Sequence, residues 1–250
     1  MMSAPQFRQL YPASDDVPDV PACYAYPDER WLRGNMIASL DGAATVDGRA
    51  GPLGNTADQW MLALLRALAD VVLVGAATAE IEGYRPIQIR EEFASLRRDR
   101  PSPVTAIVSR TLRLDVTGRL FTSGARPLVI TCTSAPARAR HQLADVADIV
   151  VAGDETVDLH HAVRELADRG HRRLLCEGGP RLLAALAAED LLDELCLTIS
   201  PLLVAGSAPR ILDGTAITPR RMRLAHLLMD ADGLLYTRYV RRRDRERNRP

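Results

Sequence analysis

Four short runs restrict the fold more than anything else in the chain: VVLV at 71–74, AIV at 106–108, IVV at 149–151 and RRLLC at 172–176. A strand with one wet face alternates apolar and polar residues, whereas a strand covered on both faces reads as an unbroken apolar run. Stretches of helical length with one apolar face separate these runs. The alternation predicts an α/β protein, a single three-layer α/β/α domain around a mostly parallel sheet. Strands are expected at Trp31–Ala38, Val71–Val74, Val104–Ser109, Leu128–Thr131, Asp148–Val151, Arg173–Cys176, Glu194–Ile199 and Leu234–Val240. Helices are expected at Ala57–Ala69, Ala135–Ala144, Val157–Arg169 and Arg181–Glu189, the first with Thr56 and Gln59 at capping-box spacing. The closing run, GLLYTRYV, alternates and follows a turn-like Asp230–Gly233, which predicts an antiparallel edge strand.

The ends differ in composition from the body. Residues 1–28 carry five prolines and predict an extended arm outside the central sheet. Residues 241–250 hold six arginines against two acids, a formal +4 that leaves the remainder near −4, and read as a flexible solvated tail. The body between them, 29–240, is expected to be one domain.

Charge and residue types exclude several functions. Lys plus Arg and Asp plus Glu both total 32, so no net field favours nucleic acid. Every basic residue is arginine, which removes Schiff-base chemistry and a lysine P-loop. Cys23, Cys132, Cys176 and Cys196 are never paired in spacing, and the five histidines form no HxH or HExxH pattern, so no metal is expected. There is no GxSxG elbow, no 18-residue apolar run and no apolar leader within residues 1–12. These features predict a cytoplasmic protein without a membrane span.

In an open parallel sheet, ligands collect where strands end and helices begin, because unpaired helix N-terminal amides attract anions. Three segments have that form. In VVLVGAAT, Gly75 ends a strand and Thr78 offers a hydroxyl, although the same pattern also makes an ordinary turn. In RRLLCEGGPR, Gly178 and Gly179 remove the Cβ atoms that would keep a diphosphate from the following amides. Pro180 stands at a natural first helical position, and Glu177 at the strand tip. In NMIASLDG, Asn35 places an amide inside an apolar strand, at a cost of about 1–3 kcal/mol unless it is hydrogen-bonded. Ser39, Asp41 and Gly42 follow it. Arg66, in LLRALAD, is suited either to gripping a phosphate or to lying along its helix.

In chain order NMIASLDG, LLRALADVVLVGAAT, EGGP and DELCLTISP at 193–201 resemble the riboflavin-biosynthesis pyrimidine reductase family. This family is the C-terminal reductase domain of the bifunctional deaminase-reductase and has a dihydrofolate-reductase-like fold; the resemblance spans roughly residues 30–240. It implies a homodimeric, NADPH-dependent reductase that passes a hydride to the sugar C1′ of a ribosylamino-pyrimidine phosphate. Gly75, Thr78 and Glu82 match cofactor positions, and Gly178 and Gly179 with the turn Pro180–Arg181–Leu182 match the pyrophosphate segment. Asn35, Ser39 and Arg66 fall on the substrate side, Arg66 as a phosphate contact, while Asp41 and Glu177 are the candidates for polarising the substrate. Ser109 and Arg110 follow the strand at 104–109, where the family recognises the adenosine end; a hydroxyl and a guanidinium there suit a 2′-phosphate. The departures are Glu82–Pro86 in place of a D-D-P-x-L-x-x-R pattern, leaving Arg85 or Arg90 for the second phosphate arginine, and Arg181 in place of threonine. The zinc deaminase half is absent. Reduction of dihydrofolate or another pterin, and a non-catalytic NADP-binding relative, stay open as alternatives.

Overall fold

The computed structural model describes residues 5–242. In chain order the elements are β1 (Arg8–Tyr11), α1 (Val20–Cys23), β2 (Trp31–Ser39), α2 (Thr56–Leu68), β3 (Val71–Gly75), α3 (Ala76–Ile81), α4 (Ala94–Arg97), β4 (Val104–Val108) and α5 (Arg119–Thr122). There follow β5 (Leu128–Thr131), α6 (Ala137–Ala144), β6 (Asp148–Val151), α7 (Leu159–Asp168), β7 (Arg173–Cys176), α8 (Pro180–Ala188), β8 (Glu194–Ser200), β9 (Met222–Met229) and β10 (Leu235–Arg241). The strands form one 10-stranded sheet in the order β1-β9-β10-β8-β2-β7-β3-β4-β5-β6. From β8 to β6 every neighbouring pair is parallel, and β10, β9 and β1 add antiparallel partners at the other side.

Three of the four apolar runs have the physical cause their composition implies; the fourth, IVV in β6, lies at the sheet edge, with Val150 buried but Val151 41% exposed. In β3, Val71 and Leu73 face a core completed by Leu159, Val163 and Leu166 of α7 and Leu182, Leu183 and Leu186 of α8. Val72 faces the opposite core, built on Trp60, Met61, Leu64, Leu65 and Leu68 of α2. Farther along that second face, Val129 packs with Leu143 of α6.

Two expectations about the ends are corrected. The arm is not outside the sheet: Arg8–Tyr11 pairs antiparallel with β9 and forms the sheet's edge. Phe7 anchors it, lying 5.6 Å from the Trp60 ring and 5.2 Å from that of Tyr236. Farther along the arm, the Tyr24 carbonyl accepts from Arg33 and the Cys23 carbonyl from Arg238. The closing strand is antiparallel but interior, flanked by β8 and β9. Arg241 completes β10, and the rest of the expected tail, 243–250, lies outside the described residues. The N-cap of α2 is Asn55 rather than Thr56; its Oδ1 accepts from the Asp58 amide at 2.9 Å, and its amide nitrogen donates to Asp230 and Asp232.

Candidate functional site

The parallel strands β2, β7, β3 and β4 all end on the same rim. At its centre the Gly75 N–H donates to the Gly178 carbonyl at 2.8 Å, joining the tip of β3 to the turn after β7. That turn is buried and packs closely because it lacks side chains. Gly178 has φ +84, and a Cβ there would lie 2.9 Å from Met36 Sδ; a Cβ on Gly179 would lie 2.2 Å from Thr78 Oγ1. Gly179 is also the N-cap of α8 and supplies no side-chain cap. The first-turn amides at Arg181 and Leu182 therefore lack an intrahelical acceptor and are available to an anion. Pro180, at N1, has no N–H to leave unpaired.

The Leu182 side chain is buried in the core against α7, so only its backbone can serve a ligand. Arg181 is 92% exposed and 3.9 Å from Asp213. One strand over, buried Ser109 accepts the Leu112 amide at 3.0 Å, with exposed Arg110 beside it. Gly75, Thr78, Gly178, Gly179 and the start of α8 thus converge, and the Ser109–Arg110 turn follows β4, the strand paired with β3.

On the α2 side of the rim, Arg66 and Glu177 meet directly. Arg66 Nε donates to Glu177 Oε1 at 2.7 Å and Nη2 to Oε2 at 2.6 Å, a bidentate pair with the carboxylate almost wholly buried. Burial alone would lower the Arg66 guanidinium, but Glu177 outweighs it and holds it above its ordinary value. Asn35, half-buried one residue beyond the Gly34–Cys176 register of β2 and β7, has no side-chain hydrogen bond among the described residues.

Two acidic residues are occupied structurally. Ser39 Oγ donates to Asp41 Oδ1 at 2.5 Å, and Asp41 also accepts the Val204 and Ala205 amides. The Ser39 hydroxyl and these amides hold its carboxyl down to about 2, so Asp41 is an acceptor that ties the 201–205 loop to the end of β2. Glu82, at the C-cap of α3, accepts the Ala50 amide at 2.9 Å and so fastens the loop after β2. Arg90 lies 3.7 Å from Glu92, whereas Arg85 is exposed.

Residues 30–236 match the RibD C-terminal domain. The chain belongs to that family. It is 30% identical over 188 residues to the 2,5-diamino-6-ribosylamino-4(3H)-pyrimidinone 5′-phosphate reductase of Archaeoglobus fulgidus, covering 72% of this chain and 84% of that one. The protein of the same name from Methanothermobacter thermautotrophicus is 29% identical over 184 residues, covering 73% and 83%. In three dimensions the chain is similar to a pyrimidine reductase-like protein from Corynebacterium diphtheriae, with a TM-score of 0.79, 28% identity, and 91% and 96% of the two chains covered. The fold is dihydrofolate-reductase-like.

Sequence reasoning missed two side chains of this RibD-type site and one carboxylate on α2. Tyr84 donates to Glu177 Oε2 at 2.5 Å. Met36 underlies Gly178. Asp58, in the first turn of α2, is raised by burial despite a hydrogen bond from Thr198. The Gly83–Pro86 stretch around Tyr84 reads only as a loop, and nothing in it announces a partner 93 positions away. For Asp58 a signal existed: a carboxylate on the helix stripe that otherwise carries Met61 and Leu65.

Proposed function

We propose that the chain is an NADPH-dependent reductase of a ribosylamino-pyrimidine 5′-phosphate in riboflavin biosynthesis, acting at the sugar C1′. The named relatives support the substrate class. The observation that carries the reading is the uncapped N-terminus of α8, brought beside Thr78 and the tip of β3 by the close packing of Gly75, Gly178 and Gly179. Its residues fit a dinucleotide: the amides of Arg181 and Leu182, with the Thr78 hydroxyl, would hold a diphosphate. When bound, the reduced nicotinamide supplies the hydride that converts the open-chain C1′ imine to a ribitylamine, the amine nitrogen taking one proton.

The chain's own residues then bind and orient. Asn35 presents its unengaged amide to the pyrimidine beside the tip of β7, where Glu177 accepts from a substrate N–H or O–H. Arg66 spends two of its five N–H donors on Glu177 and directs the others to the substrate phosphate. Asp41 and Ser39 shape the mouth by holding the 201–205 loop, and Glu82 holds the loop after β2. No side chain of the described site is poised as an acid at the rim, and solvent delivers the proton.

Ser109 and Arg110 are assigned to the 2′-phosphate. Arg110→Ala is expected to weaken NADPH about tenfold and to leave NADH unchanged; equal losses for both would reject the assignment. We further propose a cytoplasmic homodimer. Its support is the sheet itself: Leu197, Ile199, Leu227, Met229 and Leu235 lie on the face of β8–β10 opposite the core residues Cys196, Leu228 and Tyr236, and all five are half-buried.

The test follows loss of nicotinamide absorbance with the ribosylamino-pyrimidine phosphate and with dihydrofolate offered in turn. Turnover of the pyrimidine is expected. Turnover of the pterin alone, or NADPH binding with neither substrate reduced, would overturn the proposal.

A further inference from the structure

The hydroxyl of Tyr84 donates to Glu177 Oε2 at 2.5 Å and also takes part in a hydrogen bond with the Arg66 side chain. Its ring is fixed on several sides. It packs against the core under α2 and against the cluster of Val74, Ala79 and Ile107, while the Arg66 guanidinium carbon stands 5.4 Å from its centroid. Burial first, and the Glu177 charge second, push the phenol well above its ordinary range, so it keeps its proton and donates.

A carboxylate offers about four lone-pair positions. At Glu177 three are taken: Arg66 Nε on Oε1, and Arg66 Nη2 and the Tyr84 hydroxyl on Oε2. One remains, on Oε1. The carboxylate's charge is already matched by Arg66, so what it offers a ligand is direction rather than net attraction.

We infer that Tyr84 is a positioning residue for the reduction: together with Arg66 it locks the Glu177 carboxylate so that its one remaining acceptor position receives a single N–H or O–H of the pyrimidine substrate. The inference rests on the reductase reading above. It also gives the Glu82–Pro86 stretch a purpose, since that segment, continuous with α3 and Thr78, delivers Tyr84 to the strand tip.

Tyr84→Phe keeps the ring and removes only the donor. Measured on the whole chain with NADPH and the ribosylamino-pyrimidine phosphate, kcat/KM is expected to fall about 10- to 100-fold. The loss should appear in KM for the pyrimidine as well as in kcat, because a freed carboxylate misdirects both ground and transition states. KM for NADPH and the stoichiometry of NADPH binding should stay within about twofold of the parent. A role in stability alone would lower the active fraction and leave the pyrimidine KM unmoved, and that result would overturn the inference. So would wild-type kinetics in Tyr84→Phe. Tyr84→Leu, which also loses the ring, should be no more active than Tyr84→Phe; a more active Leu variant counts against the role. If the parent chain reduces no pyrimidine, the reductase reading fails and this role with it, whereas an active parent beside an unaffected variant rejects the role of Tyr84 alone.

Discussion

Glu194 is sealed from water and is nevertheless surrounded by donors. Arg33 Nε reaches Oε1 at 2.6 Å, Arg238 approaches both oxygens at 2.9 and 3.0 Å, and Trp31 Nε1 donates to Oε2 at 2.8 Å. Burial alone would raise this carboxyl, but Arg33 and Arg238 hold it down to about 2. A carboxylate whose folded value is depressed stabilises the fold above its unfolded value and loses that contribution as pH falls through the folded one. The network therefore contributes fully above about pH 4.5 and fades toward pH 2. Glu194→Gln, which leaves Arg33 buried without its counter-charge, is expected to cost about 3–5 kcal/mol in urea denaturation at neutral pH. A loss below about 1 kcal/mol would mean that water or a rearranged carbonyl replaces the carboxylate. Little of this network was legible in the sequence. Glu194 and Arg33 each read as an ordinary charge within a strand, and a buried ion pair is a property of two segments 161 positions apart. The same holds for Glu177 and Arg66, which were singled out separately, one for a strand tip and one for a phosphate, without a sign that they face each other.

Elements were far more legible than partners, for reasons that depend on where burial is decided. The strands β3, β5 and β7 carry their burial in their own composition, and their expected spans agree with the structure within a residue; the span of β6 agrees too, although it is an edge strand with Asp148 and Val151 exposed. β1 and β9 were missed because neither carries such a pattern. RQLY is too short to show one, and MRLAHLLM is half-buried almost throughout, without clean alternation. The glycine turn was legible because it is made of what is missing. Gly179→Ala tests it: the new methyl would fall on Thr78 Oγ1, and NADPH affinity is expected to drop at least about tenfold. Pairing it with Thr78→Ala removes that obstruction and should restore thermal stability while affinity stays low, because the methyl and the lost hydroxyl still disturb the approach to α8. Recovery of both together would place the diphosphate elsewhere.

At the scale of the whole molecule, the outer face of β8–β10 presents half-buried Leu197, Ile199, Leu227, Met229 and Leu235 as one surface. If two copies meet there, as proposed, Ile199→Arg should yield monomers in sedimentation equilibrium and lower the melting temperature at low protein concentration, whereas the parent sediments as a dimer. A parent that sediments as a monomer rejects the assembly. The strand order has a separate consequence for how this protein comes into being. β2 is the first long strand made, but both of its neighbours, β7 and β8, are encoded about 140 to 160 residues later. On the ribosome its backbone groups must wait, unsatisfied by any sheet partner, until nearly the whole chain has emerged. Synthesis arrested before residue 173 therefore leaves β2 without a sheet partner and the chain without its glycine turn, even though β3 to β6 can already pair, a natural client for chaperones rather than a partly active enzyme.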